Sequence, residues 1–384
     1  MKTVLSELTI LRMLALTKAA LHDTTPDDTL FINADETNWS EVFELSAAQG
    51  VMILSFLGAM RLPKELHPPL KLKLRWIAGV EAVEKKYQHS VEVAKDLSAR
   101  FREHNIRMMV FKGLSLARLY PVPYSREFGD MDIFLCGKSA EGDELLEKIA
   151  NRKSKSKKKK VNISEKNINY SYKGLLIENH HTFIYHAYYK SFFRSSDLEK
   201  TLLKMLTDAG IFNNKNTEAF IPDDESVLFP PPEFITLHTV LHLLSHLPTN
   251  IVLRHLCDLV VIFKANKDKI DFSDYRNLLS EAKLLKVTDA LIFLSVKYLD
   301  LSLEDVPPFE TDTVLENRLW NDMLNPKVPS LPFEKRNLYN VVINNFQLMK
   351  SNYWKYKLLF HGKLWIKIFH YIITRLFTLR TVVK

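Results

Sequence analysis

The chain has 384 residues, of which 46% are hydrophobic and 26% are charged. This composition is typical of a soluble globular protein with room for two or three domains, and ten glycines favour helix over a β-sandwich or barrel. Two cysteines without metal-ligand spacing exclude a disulfide framework and favour a reducing, cytoplasmic location. Residues 152–160 carry seven Lys and Arg, and residues 335–384 carry ten. The positive charge of these two segments together is therefore larger than the net charge of the whole chain, +8. The rest of the chain is net acidic, which disfavours a nucleic-acid partner.

Residues 1–100 are predicted to form a helical scaffold with no chemistry of its own. Apolar residues recur at helical spacing, three prolines between residues 63 and 69 interrupt them, and a long helix is predicted for 70–103. Glu7 and Arg12 interrupt the apolar N-terminus, so we interpret it as an amphipathic helix rather than a signal peptide. No uninterrupted apolar run of about 18 residues is present, so no transmembrane span is expected.

The central segment, residues 110–135, contains two aspartates at the start of an apolar strand. Asp130 and Asp132 are expected on the same face of that strand, because strand side chains alternate between its two faces. Neighbouring carboxylates repel each other unless they are solvated, protonated or bridged by a cation. Mg²⁺ prefers oxygen ligands, so the pair predicts a magnesium site at this end of the strand.

A third carboxylate is expected from a β-hairpin further along the chain. Residues 167–172 alternate as a strand, Lys173-Gly174 forms a turn, and residues 175–180 return as a second strand. Glu178 lies in the returning strand, which can pair beside the strand of Asp132 in one sheet. The three carboxylates would then form the shared ligand set that two Mg²⁺ ions need, or Glu178 would act as the catalytic base.

Phosphate-binding groups are predicted near these carboxylates. Lys112 and Arg126 have no obvious helix-pairing role; lysine supplies a point charge for phosphate and arginine a bidentate fork. Amides around Gly113, at a strand-to-helix junction, would add donors. His180 shares a strand face with Glu178 and is a candidate contact for nucleotide or acceptor. Alternatively, Lys112 and Arg126 are ordinary surface residues and His180 is a structural histidine.

The remainder of the chain is predicted to be mostly helical. Residues 217–232 are rich in proline and aspartate and are expected to be a loop at a domain boundary. The predicted division is therefore a helical scaffold at 1–100, a core with the candidate site at 101–222, and a helical domain at 233–384. Helices are predicted at 140–150, 192–206, 234–247, 252–264, 274–298 and 313–323.

Three histidines, His238, His242 and His246, recur every four residues in the first helix of this last domain. Histidines at this spacing can bind zinc, but no HExxH glutamate and no cysteine partner lies nearby. Structural packing is therefore the favoured interpretation, with zinc binding as the alternative.

The two basic segments have more than one interpretation. Residues 152–160 are expected to be a solvated loop, or else a contact for a phosphate-rich partner. Residues 335–384 combine aromatic and basic residues and form a basic aromatic tail. This composition suits a peripheral membrane contact or an acidic partner surface, or else packing on the acidic body of the protein itself.

Several motifs of the chain occur in a characteristic order. They are Lys112-Gly113, Leu119-Tyr120-Pro121, Arg126, Gly129-Asp130-Met131-Asp132-Ile133, Glu178-Asn179-His180, Leu241-His242, His246, Leu253-Arg254, Leu256 and Asp258-Leu259. In these motifs the chain resembles the uncharacterised nucleotidyltransferase family, which belongs to the polymerase-β-like nucleotidyltransferase superfamily. It departs from the family pattern at Phe134 and in the lysine run, and neither departure involves a candidate ligand.

The resemblance implies a small mixed sheet with helices, a nucleoside triphosphate substrate with Mg²⁺, and transfer of a nucleoside monophosphate to an acceptor. It also implies that Arg254 and Asp258, with one of the three histidines, face or brace the nucleotide site. We therefore expect an α+β fold with helical regions on both sides of the nucleotidyltransferase core. The alternatives are a catalytically silent nucleotide-binding regulatory module of the same fold, and a peripheral membrane or partner-interaction protein.

Overall fold

The computed structural model describes residues 6–152, 167–184, 195–212, 219–221, 224–325 and 347–359. Its N-terminal part is helical, as predicted, and two polar caps explain where the first helices begin. The Ser6 hydroxyl accepts a hydrogen bond from the Thr9 amide at 3.0 Å, and the Asp35 carboxylate accepts one from the Asn38 amide at 2.8 Å. The helices are α1 (Glu7–His22), α2 (Glu36–Ala48), α3 (Met52–Ala59) and α4 (Leu70–Glu103).

The long helix α4 has the predicted bounds and joins two parts of the molecule. It begins directly after Pro69, where a missing amide hydrogen costs nothing, and it ends before Asn105, whose φ of 57° is left-handed. Its first half buries Trp76 among the N-terminal helices, and its second half buries Leu97 and Phe101 against the sheet. The helix therefore links the N-terminal helices to the sheet.

Within the described residues, the sheet contains seven strands in the order β3-β4-β5-β2-β1-β7-β6. Strands β1 and β2 are antiparallel, β2 and β5 are parallel, and β4 and β5 form the predicted hairpin with the predicted bounds. This mixed sheet among helices confirms the α+β fold. The strands are β1 (Met108–Phe111), β2 (Asp130–Phe134), β3 (Asn151–Arg152), β4 (Asn167–Tyr172), β5 (Leu175–His180), β6 (Ala219–Ile221) and β7 (Asp224–Leu228).

The prediction of a loop at residues 217–232 is wrong in part. Strand β7 lies in this stretch and pairs in parallel with β1, with Met108 opposite Val227. Clustered aspartates and prolines hide this strand in the sequence, because its pairing partner lies more than a hundred residues earlier in the chain. The sheet thus extends past residue 222, whereas the division into a scaffold, a core and a helical domain stays a prediction.

Helices cover both faces of the sheet. One face, with Val110, Ile133 and Ile177, packs on α4, and the other, with Phe111 and Phe134, packs on helix α8 (Pro232–His246) and its neighbours. The helices after β1 are α5 (Gly113–Ala117), α6 (Ser139–Ile149), α7 (Ser195–Asp208), α8 (Pro232–His246), α9 (Leu253–Asn266), α10 (Phe272–Glu281), α11 (Leu285–Leu299), α12 (Thr313–Leu324) and α13 (Tyr353–Leu359).

The N-terminal and C-terminal helices share one hydrophobic core. Met13 and Leu54 belong to the same buried cluster as Leu241 and Leu291. Polar contacts reinforce this packing, since the Gln49 side chain donates to the Met323 carbonyl at 3.1 Å and accepts from the Leu253 amide at 2.9 Å. The N-terminal helices are therefore part of the body that carries the later helices.

The described C-terminal segment, residues 347–359, packs onto this body. The side-chain amide of Asn352, which is buried, donates to the Pro248 carbonyl at 3.0 Å, and the fully buried Lys355 is ion-paired with Asp322. The rest of the basic aromatic tail and most of the lysine run lie outside the described residues. No helix in the described ranges is long and apolar enough to cross a membrane.

Candidate active site

The candidate site forms where strands β2 and β5 run side by side. Because these strands are parallel and in register, Asp132 is the direct partner of Glu178, and Phe134 is the partner of His180. Asp130, at the start of β2, shares the face of Asp132 by strand alternation. The structure therefore places the three predicted carboxylates on one sheet face, the face that packs towards α8.

The side chains of Asp132, Glu178 and His180 form a compact cluster whose potential ligand atoms all lie within 4.8 Å of one another. His180 is fully buried; its Nε2 donates to Asp132 Oδ1 at 2.6 Å and lies 3.5 Å from Glu178 Oε2. The sequence suggested a nucleotide contact for His180, but here the ring lies beneath the carboxylates and orients them.

Lys112 supplies the cation of this cluster. Phe111 is the register partner of Asp132 on the antiparallel strand β1, so the next residue, Lys112, leaves the strand directly beside the carboxylate. Its Nζ forms a buried ion pair with Asp132 Oδ1. The backbone of Lys112 has φ 58° and ψ −132°, a conformation that residues with a side chain rarely adopt. Such backbone strain is most often retained at functional sites.

The pKa values of the two aspartates of β2 are shifted in opposite directions. Burial alone would raise the pKa of Asp132, but Lys112 and His180 outweigh burial and hold it well below its usual range. The pKa of Asp130 is raised, first by burial and then by the negative charges of Asp132 and Glu178. This mutual repulsion is the electrostatic condition that a bound cation relieves.

A second buried carboxylate, Asp258 on α9, lies behind this cluster. Arg126 binds it through two hydrogen bonds, Nε to Oδ1 at 2.8 Å and a terminal nitrogen to Oδ2 at 3.0 Å, and the Tyr120 hydroxyl donates at 2.7 Å. Arg126 also donates to the Gly113 carbonyl at 3.3 Å. Burial would raise the pKa of Asp258, but Arg126 and then Arg254 lower it. Arg126, predicted to bind phosphate, thus braces the segment before β2 against α9.

A cavity of about 680 Å³ opens above the carboxylates. One wall is formed by the sheet, with Asp130, Asp132 and Glu178, and the opposite wall by the end of α8 and the start of α9. Every candidate site residue from the sequence lines the cavity except the buried His180. The lining residues are Lys112, Gly113, Arg126, Glu127, Phe128, Gly129, Asp130, Asp132, Asn167, Glu178, His242, Ser245, His246, Pro248, Thr249 and Arg254.

A family model described as an uncharacterised nucleotidyltransferase matches residues 35–300, a range that includes every strand of the sheet and every residue of the cavity wall. The chain belongs to the uncharacterised nucleotidyltransferase family. No curated protein and no solved structure shows significant similarity to this family member. Membership supports nucleotidyl transfer in general, and the resemblance inferred from the motifs is confirmed.

The three histidines of α8 have different surroundings in this nucleotidyltransferase-family chain. His238 is buried, stacked on Phe234 and edge-on to Phe111, as structural packing predicts. His242 and His246 instead line the cavity. In the described part of the chain, the group of three metal-ligating side chains with ligand atoms within 4.8 Å of one another is Asp132, Glu178 and His180, and no histidine of α8 belongs to it.

The sequence did not reveal the role of Asn167, and it placed one of the three histidines at the nucleotide site without identifying which. The side-chain amide of Asn167 donates to Glu178 Oε2 and fixes the orientation of this carboxylate. The hairpin register, which pairs Asn167 with His180, contains the signal needed to find it. Which of the three histidines face the cavity depends on how α8 packs against the sheet, so the sequence alone does not identify His242 and His246.

Proposed function

We propose that this protein is a Mg²⁺-dependent nucleotidyltransferase. It transfers a nucleoside monophosphate from a nucleoside triphosphate to an acceptor hydroxyl and releases pyrophosphate. One observation carries the proposal: Asp132 and Glu178 are paired residues on adjacent parallel strands, with Asp130 on the same face, and all three open into one cavity. The compartment proposed for this activity is the cytoplasm.

The donor set fits the implied metal. Mg²⁺ prefers hard oxygen ligands, and Asp130, Asp132 and Glu178 present carboxylate oxygens at the cavity wall. These residues would hold the metal, proposed as two ions, and the bound Mg²⁺ would neutralise charge on the phosphates. His180 donates its Nε2 hydrogen to Asp132 and therefore orients a ligand.

The side chains of the site divide the remaining work. Lys112 and Arg254 carry positive charge at the cavity wall and bind the triphosphate, with the amide of Gly113 as a further donor. Arg126 retains a phosphate-binding role only through the terminal nitrogen that is not bonded to Asp258. Glu178 accepts the proton of the acceptor hydroxyl, whose oxygen bonds to the α-phosphorus while the bond to the leaving pyrophosphate breaks.

Label transfer tests the proposal. The purified protein is incubated with each α-labelled triphosphate, Mg²⁺ and cell extract, and the labelled product and released pyrophosphate are measured. Asp132→Asn keeps the shape of the side chain and removes its charge, so we expect transfer to fall by a factor of about 10³ with the fold unchanged. Transfer at the wild-type rate by this variant would overturn the assignment.

A silent nucleotide-binding module is the second candidate, and the ion pair between Lys112 and Asp132 favours it. A lysine already neutralises the carboxylate that a catalytic metal would use. Nucleotide titration with and without Mg²⁺, followed by measurement of pyrophosphate, separates the two functions. Nucleotide binding that Mg²⁺ does not strengthen and that yields no pyrophosphate would establish the silent module.

A membrane or partner contact through residues 335–384 is the third candidate, supported by their aromatic and basic composition. Within this segment, Lys355 is fully buried against Asp322, so the described part docks on the protein itself. Co-sedimentation with anionic liposomes, with and without these residues, tests the contact. Equal pelleting of both proteins would exclude a membrane role for the tail.

A further inference from the structure

Two histidines of α8 face the cavity from the wall opposite the carboxylates. His242 and His246 are one helical turn apart, and their Nε2 atoms share a hydrogen bond of 3.3 Å. The two rings meet edge-on, with centroids 4.6 Å apart. Both reactive nitrogens are therefore directed towards one small region.

Arg254, on α9, completes this wall. It lines the cavity, and its side chain is 25% exposed, whereas Arg126 is 4% exposed. Its nearest acid is Asp258, at 3.7 Å, but both oxygens of that carboxylate are already bonded to Arg126. The guanidinium of Arg254 therefore retains hydrogen-bonding capacity towards the cavity. Its position is fixed by close contact with the left-handed Gly50, where an added Cβ would approach the Arg254 side chain to 3.3 Å.

We propose that His242, His246 and Arg254 form a phosphate-binding subsite on the helical wall of the cavity. A phosphate that replaces the hydrogen bond between the two rings can accept from both imidazole nitrogens, and arginine adds a planar fork that matches phosphate geometry. The subsite lies opposite Asp130, Asp132 and Glu178, so the bound anion is not forced against like charges. The phosphate belongs either to the outer part of the triphosphate, which leaves as pyrophosphate, or to a phosphorylated acceptor.

The identity of the ligand rests on the proposed function, but the subsite can be tested without turnover. Pyrophosphate is titrated calorimetrically into the full chain in the presence of EDTA. We expect its affinity to fall at least tenfold in His242→Leu, His246→Leu and Arg254→Met. The matched control is His89→Leu, on the exposed side of α4 and outside the cavity lining, and it should bind as the wild type does. Unchanged affinity in the three cavity variants would overturn the subsite.

Two further titrations identify the source of the phosphate. If the variants lose affinity for a nucleoside triphosphate and for pyrophosphate, the subsite binds the outer phosphates of the nucleotide. If they lose affinity for a simple phosphomonoester such as glycerol phosphate, it binds a phosphorylated acceptor. A wild-type protein that binds pyrophosphate but transfers no label would keep the subsite and overturn the proposed activity. The opposite pattern would keep the activity and overturn the subsite.

A measurement on the wild-type protein tests the subsite even if the variants fail to fold. Imidazole signals assigned by nuclear magnetic resonance are followed during the pyrophosphate titration. The signals of His242 and His246 should shift and that of His89 should stay in place. Shifts confined to histidines outside the cavity, or no shift at all, would contradict the proposal.

Discussion

Two buried aspartates lie close to this cavity, and they are neutralised in different ways. Asp258 is bonded by the guanidinium of Arg126 through both oxygens and by the Tyr120 hydroxyl. Asp132 is held by the point charge of Lys112 and by one ring nitrogen of His180, both on the same oxygen, Oδ1. Each carboxylate is only 4% exposed, so burial alone does not distinguish them.

We propose that this difference separates a structural ion pair at Asp258 from a functional one at Asp132. A bidentate arginine fits its carboxylate in one geometry and occupies both of its oxygens. A lysine is a compact charge on a flexible stem, so a metal ion can take its place and leave the lysine free for phosphate. Asp132 also borders the cavity, whereas Asp258 lies behind its wall. The role of a buried carboxylate must therefore be assigned from its burial, its counter-charge and its access to the cavity together.

The largest expected effect is on the structural pair. Arg126→Met leaves Asp258 buried without its main counter-charge, so unfolding in urea should show a loss of about 3–5 kcal/mol. Mg²⁺ should not restore the lost stability. The control is Arg75→Met, which breaks an exposed pair with Glu44 and should cost about 0.5 kcal/mol. A loss as small as that of the control would show that Asp258 is not a brace.

The matching change at the functional pair is Lys112→Met. We expect it to destabilise the metal-free protein by about 2 kcal/mol, because Asp132 loses its main counter-charge but keeps His180. Millimolar Mg²⁺ or Mn²⁺ should recover most of that loss, since a ligand that binds only the folded state stabilises it. Thermal unfolding with EDTA and with the cation measures both values. If the cation gives no recovery, the two pairs are equivalent and the comparison fails.

Acid should affect the structural region through His255. Burial, and then the charge of Arg254, lower the pKa of His255 to about 3, and its Nδ1 accepts from the Val252 amide at 3.0 Å. The unfolded chain takes up this proton near pH 6.5 and the folded protein only near pH 3. Stability should therefore decrease as pH falls through this window, by up to about 1.4 kcal/mol per pH unit. His255→Gln should flatten the dependence measured by urea unfolding. An unchanged slope would exclude His255 as its origin.

The smallest expected effect is at the edge of the functional site. Asn167→Ala removes the amide that orients Glu178, so we expect pyrophosphate release to fall about fivefold, a cost of about 1 kcal/mol. Ser171→Ala, on the same face of β4 but opposite Leu176, is the control. A fivefold loss in both variants would indicate a general effect on the strand rather than on Glu178.

Local signals in the sequence predicted much of the fold. The β4–β5 hairpin has its predicted bounds because Lys173 and Gly174, with φ of 47° and 80°, form the turn and polar–apolar alternation defines the strands. Helix α4 was predicted from the prolines before it and the helical spacing of its apolar residues, and in the structure it ends before the left-handed Asn105. Strand β7 was not predicted, because a short strand is defined by its partner in the sheet and not by its own composition.

In the candidate site, too, some features were predicted from the sequence and others were not. Alternation along β2 places Asp130 and Asp132 together, and a sheet that contains the hairpin brings Glu178 to them. The sequence could not show how Arg126 would be used, because Asp258 lies 132 residues away along the chain. Nor could it distinguish His238, which is packed, from His242 and His246, which face the cavity. Such assignments depend on the distances between elements, which residue patterns do not contain.

The hydrogen bond from Asn352 to the Pro248 carbonyl has a consequence for protein synthesis. Pro248 borders the cavity, and the last cavity residue along the chain is Arg254, yet this contact comes from a segment made much later. The ribosome therefore completes the sheet, with its carboxylates, and the helices that carry His242, His246 and Arg254 before it makes the segment that contacts Pro248. The contact with Pro248 therefore forms only after Asn352 has been made, 98 residues later along the chain than Arg254 (352 − 254).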